Sequence, residues 1–229
     1  MYGNLVPYYG DGSWMILVFA AMILGLIAQA KIKSTYAKYK EVQNSKRITG
    51  AQAARYILDR NGLQDVKIQS INGELTDHYD PTQKVIRLSQ DVYSGDSVSA
   101  VSIAAHEVGH AIQHGRGYSF LNFRNALVPV VNIASRSIYT LFILGIFFAP
   151  IFLDIAIAIF AVTVLFQVIT LPVEINASSR ALNNLEEGIL QREELGQGKK
   201  VLSAAAMTYI AAALFSIAQL GRLLQRRNR

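Results

Sequence analysis

Residues Ile103 to His114 read IAAHEVGHAIQH, and the fold turns on how that stretch is understood. Residues four apart lie on one face of a helix, so His106 and His110 can point at a single ion. Glu107 is turned about 100° around the helix, where it can face a metal-bound water without ligating. This is the H-E-x-x-H arrangement of zinc hydrolases. Zinc lowers the pKa of its water toward ~7, and a carboxylate beside it can take the proton. Gly109 and Ala105 are small enough for close packing around such a site. A lone histidine on an apolar helix reads as an ordinary core residue. Two at this spacing, with Glu107 between them, favour a metal. The chain has no cysteine, so disulfides and thiolate ligands are excluded and any metal must use His, Asp or Glu.

A catalytic zinc needs a third protein ligand and one open position. The longer H-E-x-x-H-x-x-G-x-x-H pattern fails, because Gln113 and Arg116 occupy its Gly and His positions. His114 is on the right face, yet a straight helix would spread it about 12 Å from His106. It reads as a supporting or surface residue. Glu174 opens the polar, helix-forming segment EINASSRAL after a pair of apolar stretches. It can be read as a carboxylate at a helix N-terminus, interacting with the dipole. Delivered to the same membrane face as His106 and His110, it is the better third ligand.

The membrane follows from composition. The 229 residues are 52% hydrophobic and only 17% charged, against about 25% charged for soluble domains. Trp14 to Ala30 is just long enough to span. The AQA before Lys31 resembles a signal-peptidase site, but no Lys or Arg precedes the run, so an uncleaved anchor is expected. Lys31, Lys33, Lys38, Lys40, Lys46 and Arg47 follow it, which predicts an external N-terminus and a cytoplasmic continuation. Arg222, Arg226, Arg227 and Arg229 follow the last apolar run. Basic residues flanking apolar runs act as topology determinants and headgroup contacts, so the net charge of +6 does not imply nucleic acid. Ile133–Phe148 and Phe152–Leu171 form an apolar helical hairpin reversed at Ala149-Pro150. Arg136 is expected near its cytoplasmic end, where it can snorkel, and Asp154 near the turn. Val201–Leu220 is either a fourth span or a helix apposed to the membrane.

Between anchor and hairpin lies a soluble section. ITGAQAARYILDRNG reads as a helix with Thr49 as N-cap and Asn61-Gly62 as its stop. DVKIQSI and KVIRLS alternate like strands, DHYDPTQ between them holds turn formers, and a further helix starts near Asp96 or Ser97. KVIRLS is either a buried structural strand or one that binds extended substrate by β-addition.

HEVGHAIQH, the apolar hairpin, PVEINASSRAL and the upstream LTDHYDPTQKVIRLS together resemble the YugP-like putative neutral zinc metallopeptidases of bacterial membranes. More distantly the chain is similar to the integral-membrane gluzincins, which pair H-E-x-x-H with a later E-x-x-x-D. The resemblance implies zinc held by His106, His110 and Glu174, with Glu107 as the catalytic glutamate. Position 178, where the wider group has Asp to orient a ligating histidine, is Ser178 here, which can hydrogen-bond but offers no charge. Arg180, Tyr209 and His78 are candidates for an oxyanion donor. The expected fold is a mainly α membrane protein carrying a small α+β zincin-like cytoplasmic domain. Residues 1–30 would form the anchor, 31–125 the zincin-like domain, 126–173 the transmembrane hairpin, and 174–229 the third-ligand helix and C-terminal apolar helix. The expected activity is that of a zinc-dependent endopeptidase embedded in the lipid bilayer of the cell membrane, cleaving membrane-associated protein or peptide substrates with its active site on the cytoplasmic side of a multi-pass protein. A membrane scaffold or adaptor with a structural zinc is the competing reading, and a non-peptidase zinc hydrolase a third.

Overall fold

The computed structural model describes residues 12–227; the external N-terminal tail expected at 1–11 and the basic Arg229 lie outside them. The order is α1 (Gly12–Lys40), α2 (Gly50–Arg60), β1 (Lys67–Ile71), β2 (His78–Asp80), β3 (Val85–Ser89), α3 (Gln90–Ser94), α4 (Val98–Gly115), α5 (Ser119–Phe147), α6 (Pro150–Glu186) and α7 (Arg192–Arg227). The protein is mainly helical. Four helices, α1, α5, α6 and α7, are long and apolar enough to cross a membrane, as about 20 apolar residues suffice. The chain forms two compact units and passes between them at Ile27–Ala28, Ala126–Leu127, Val168–Ile169 and Thr208–Tyr209.

The unit built from Ala28–Ala126 and Ile169–Thr208 carries the sheet and the helix with His106 and His110. Thr49 caps α2 as expected: its hydroxyl accepts from the Gln52 N–H, and the Gln52 side chain accepts from the Thr49 N–H. This reciprocal pair satisfies two N-terminal donors. Ala53, Ala54, Ile57 and Leu58 recur at helical spacing and are fully buried. They pack with Ile86 and Leu88 of β3, with Val101, Ala104, Val108 and Ile112 of α4, and with Ala181 and Leu185 from the end of α6. Leu202 of α7 joins the same core. Ser97 caps α4 by accepting from the Ala100 N–H.

The sheet order is β1-β3-β2, with β1 parallel and β2 antiparallel to β3. The strand KVIRLS is therefore central, and both its edges are taken. β-Addition of substrate to it is excluded, and the buried structural alternative holds. β2 lies inside DHYDPTQ, where only a turn was expected. The turn does follow, since Asp80 accepts from the Thr82 and Gln83 N–H groups, but the three residues before it pair with β3 first.

Two expectations about α5 and α6 need correction. Glu174 does not begin a new helix. α6 runs unbroken from Pro150 through Pro172 to Glu186, because the apolar hairpin arm and the polar segment share one helical register. Pro172 removes only the bond to the Val168 carbonyl, and Pro129 in α5 only that to Asn125, the usual local cost of an interior proline. Both breaks fall beside the places where α5 and α6 pass between units. Arg136 is interior to α5, not near its start, because the helix begins at Ser119; its side chain is exposed.

Within the other unit, Gly145 lets the arms of the hairpin meet, since a Cβ there would lie 2.7 Å from the Leu153 nitrogen. The Ser216 hydroxyl donates to the Gln167 side chain at 2.9 Å, tying α7 to α6. Arg227 pairs with Asp154 at 2.6 Å, and the Trp14 ring occupies the place where a Cβ on Gly221 would stand. The apolar stretch 201–220 is thus divided: α7 packs into the sheet-bearing unit up to Thr208 and into the helical unit from Tyr209.

Candidate functional site

α4 supplies His106 and His110 one turn apart, and their rings stand edge to face with centroids 4.8 Å apart. α6 supplies Glu174, which is 3% exposed. One Glu174 carboxylate oxygen lies 3.2 Å from His106 Nε2 and 3.6 Å from His110 Nε2. All three potential ligand atoms fall within 4.8 Å of one another, and they are the group of His, Asp and Glu side chains among the described residues arranged to hold a metal. Donors about 2.0–2.1 Å from a tetrahedral zinc stand roughly 3.3 Å from each other. The two carboxylate–imidazole separations, 3.2 and 3.6 Å, match that spacing, and the donor set suits zinc.

Glycine makes the approach of the two helices possible. A Cβ on Gly109 would lie 2.5 Å from the Ala177 carbonyl oxygen, so α6 rests directly on the α4 backbone between the two histidines. Both partners of this contact are small. Any side chain at 109 would push Glu174 away from the histidines.

Each histidine is held from behind. His106 Nδ1 is 3.2 Å from the Ser178 hydroxyl. His110 Nδ1 is 3.1 Å from Gln113 Oε1. Outer partners of this kind orient a ligating imidazole and raise its basicity. Gln113 is fully buried, and its amide nitrogen donates to the Val173 carbonyl at 2.8 Å and to Asn176 Oδ1 at 3.0 Å. Sequence reading passed over Gln113 and Asn176. The signal was a lone amide in the apolar face of α4, three residues beyond His110.

Glu107 is buried on α4, and burial pushes its carboxyl above the ordinary glutamate value, partly opposed by the neighbouring His106 and His110. For His110, burial works downward, but the Glu174 and Glu107 carboxylates outweigh it and the imidazole is raised.

The remaining candidates are dispersed. Ser178 is at the site, behind His106. Arg180 donates through Nε to Asn176 Oδ1 at 2.8 Å, so it touches the supporting network. His78 is exposed on β2, with Nδ1 2.8 Å from the Thr76 carbonyl. Tyr209 belongs to the helical unit. His114 stands apart from the cluster and bonds the Tyr79 hydroxyl at 2.8 Å; burial, with Asp65 and Asp80 nearby, pushes that phenol up to about 12.

Comparison with known proteins identifies relatives over almost the whole chain. The family described as "Putative neutral zinc metallopeptidase" matches residues 14–228. A "Putative membrane protease YugP" of Bacillus subtilis (strain 168) is 48% identical over 213 residues, covering 92% of this chain and 95% of the relative. No solved structure matches the chain. A match over almost the whole length, together with a His-His-Glu cluster of zinc-site dimensions, places this chain in the neutral zinc metallopeptidase family.

Proposed function

We propose that the protein is a membrane-embedded, gluzincin-like zinc endopeptidase whose site lies on the cytoplasmic side and acts on membrane-associated proteins or peptides. His106, His110 and Glu174 would hold the metal. The observation that carries this reading is the convergence of those three side chains from α4 and α6 within 4.8 Å, the two histidines half-buried and Glu174 buried. Zinc bound there supplies a Lewis acid for a peptide carbonyl and lowers the pKa of a water toward ~7.

The chain's own residues supply the rest. Glu107 takes a proton from the attacking water and hands it to the departing amine. Its raised affinity for protons suits the first half of that task. Gly109 and Ala177 fix the distance between α4 and α6. Ser178 holds His106 by its Nδ1, in the place where the wider group has a carboxylate. The cytoplasmic assignment rests on Lys31, Lys33, Lys38, Lys40, Lys46 and Arg47 following the first apolar run.

The deciding experiment compares wild type with Glu107→Gln in the same preparations, measuring zinc stoichiometry and cleavage of a membrane-associated peptide. The expected result is equal zinc and activity lower by about 100-fold or more, the scale of a lost general base. Full zinc with unchanged cleavage would exclude the mechanism. Stoichiometric zinc without cleavage by the wild type would favour a structural metal in a scaffold.

A further inference from the structure

His110 can offer Nε2 to a metal only if its proton sits on Nδ1, and its nearest partner on that side is Gln113 Oε1 at 3.1 Å. An amide can be turned over, exchanging its oxygen for its nitrogen. Here it cannot turn freely. The Gln113 nitrogen faces two acceptors, the Val173 carbonyl and Asn176 Oδ1. Turned over, Gln113 would set its oxygen against both, inside a site where it has no exposure to water. An unsatisfied buried polar group costs about 1–3 kcal/mol.

Asn176 could in turn be reversed, but Arg180 Nε donates to its oxygen at 2.8 Å. A guanidinium has donors only, so it fixes which end of Asn176 faces inward. The sequence of constraints is therefore closed at a group that cannot change role. Arg180 sets Asn176, Asn176 sets Gln113, and Gln113 leaves His110 Nδ1 one option, to donate.

We propose that Gln113, locked by Asn176 and Arg180, is the positioning residue that fixes the tautomer of His110. It takes on, for the second histidine, the orienting task that Ser178 performs for His106 without a charge. The inference rests on the reading of His106, His110 and Glu174 as the metal site. It assigns Arg180 to support of the site.

The chain has four histidines, so imidazole-nitrogen NMR of the full-length protein in detergent can report each tautomer, with His78→Gln and His114→Gln assigning the two outlying rings. Zinc affinity is measured alongside by chelator competition. Metal-free and zinc-loaded wild type should both show His110 protonated at Nδ1. Gln113→Leu should release His110 to a mixture of tautomers and weaken zinc binding about 10- to 100-fold, the usual effect of losing an outer partner. Asn176→Leu should shift both readouts in the same direction. Asn176→Asp, which keeps an oxygen facing Gln113 and Arg180, should stay near wild type.

If Gln113 merely ties α4 to α6, its loss would lower thermal stability and leave the tautomer alone. A single Nδ1–H tautomer with zinc affinity within twofold of wild type in Gln113→Leu overturns the proposal. So does a wild-type His110 protonated at Nε2 and bare at Nδ1, a result that needs no variant to fold. Failure of the zinc-site reading shows separately, as folded wild type that retains the Nδ1–H signal and binds no zinc.

Discussion

At the scale of single residues, the site is a balance between what must touch and what must stay out. His106→Ala or His110→Ala would remove one of the three proposed ligands, and the purified protein should then hold no zinc by metal analysis where the wild type holds it. Glu174→Ala should lose much of it, and complete retention would move the third ligand elsewhere. Gly109→Ala tests the packing instead of the ligands. Its Cβ would meet the Ala177 carbonyl at 2.5 Å, and overpacking of this kind costs about 1–3 kcal/mol. Zinc affinity should fall although every ligand is intact, and thermal unfolding should shift down; unchanged affinity would mean that α6 yields without moving Glu174. The histidines and Glu107 were legible in the sequence because helical spacing alone puts them on neighbouring faces. Gln113 was not, because an amide has no spacing rule. Its meaning comes from Val173 and Asn176, sixty residues away and brought near only by folding.

At the scale of elements, α4 depends on its neighbours more than on its own propensity. Small residues at Ala104, Ala105, Ala111 and Gly109 let α2, β3 and the end of α6 come close, and the burial of Val101, Val108 and Ile112 holds the stack. Truncating a fully buried leucine in such a core costs about 2–5 kcal/mol. Leu185→Ala is expected to destabilise the sheet-bearing unit by that amount in chemical denaturation, and Thr49→Ala, which removes a capping box, by about 1 kcal/mol. The cap variant should bind zinc as wild type does, since α2 carries no ligand; a loss of zinc there would show that the site is coupled to α2. Caps and the strands β1 and β3 were readable because their signals are local. β2 was hidden because three residues establish no alternation and Asp80-Pro81 announce a turn. The continuity of α6 was hidden for the opposite reason. Proline and a polar segment suggest an ending, but one lost backbone bond does not stop a helix packed along both halves.

At the scale of the whole chain, the open question is which side of the membrane each end occupies. The hairpin turn at Ala149-Pro150 and the end of α7 are linked within one unit, since Asp154 pairs with Arg227 at 2.6 Å. An ion pair of that length requires the two groups at one level, so Pro150 and the C-terminal end of α7 should report the same face of the bilayer. The Trp14 ring against Gly221 puts the start of α1 at that level too. With the first apolar run crossing the bilayer once, Arg222, Arg226 and Arg227 would be expected on the side opposite the basic residues that follow that run, against the simple bias of positive charge toward the cytoplasm. Asp154 offsets part of that charge, and the six basic residues after the first apolar run outweigh what remains. Topology reporters fused after Lys46, at Pro150 and after Arg227 are therefore expected to read cytoplasmic, external and external. A cytoplasmic signal after Arg227 with an external one at Pro150 would break the Asp154–Arg227 pairing in the membrane. An external signal after Lys46 would invert the protein and turn His106, His110 and Glu174 outward. Arg227→Glu gives the pairing an independent check: it sets two carboxylates side by side and should lower the thermal stability of the protein, and adding Asp154→Arg should restore part of the loss by recreating the pair in reverse.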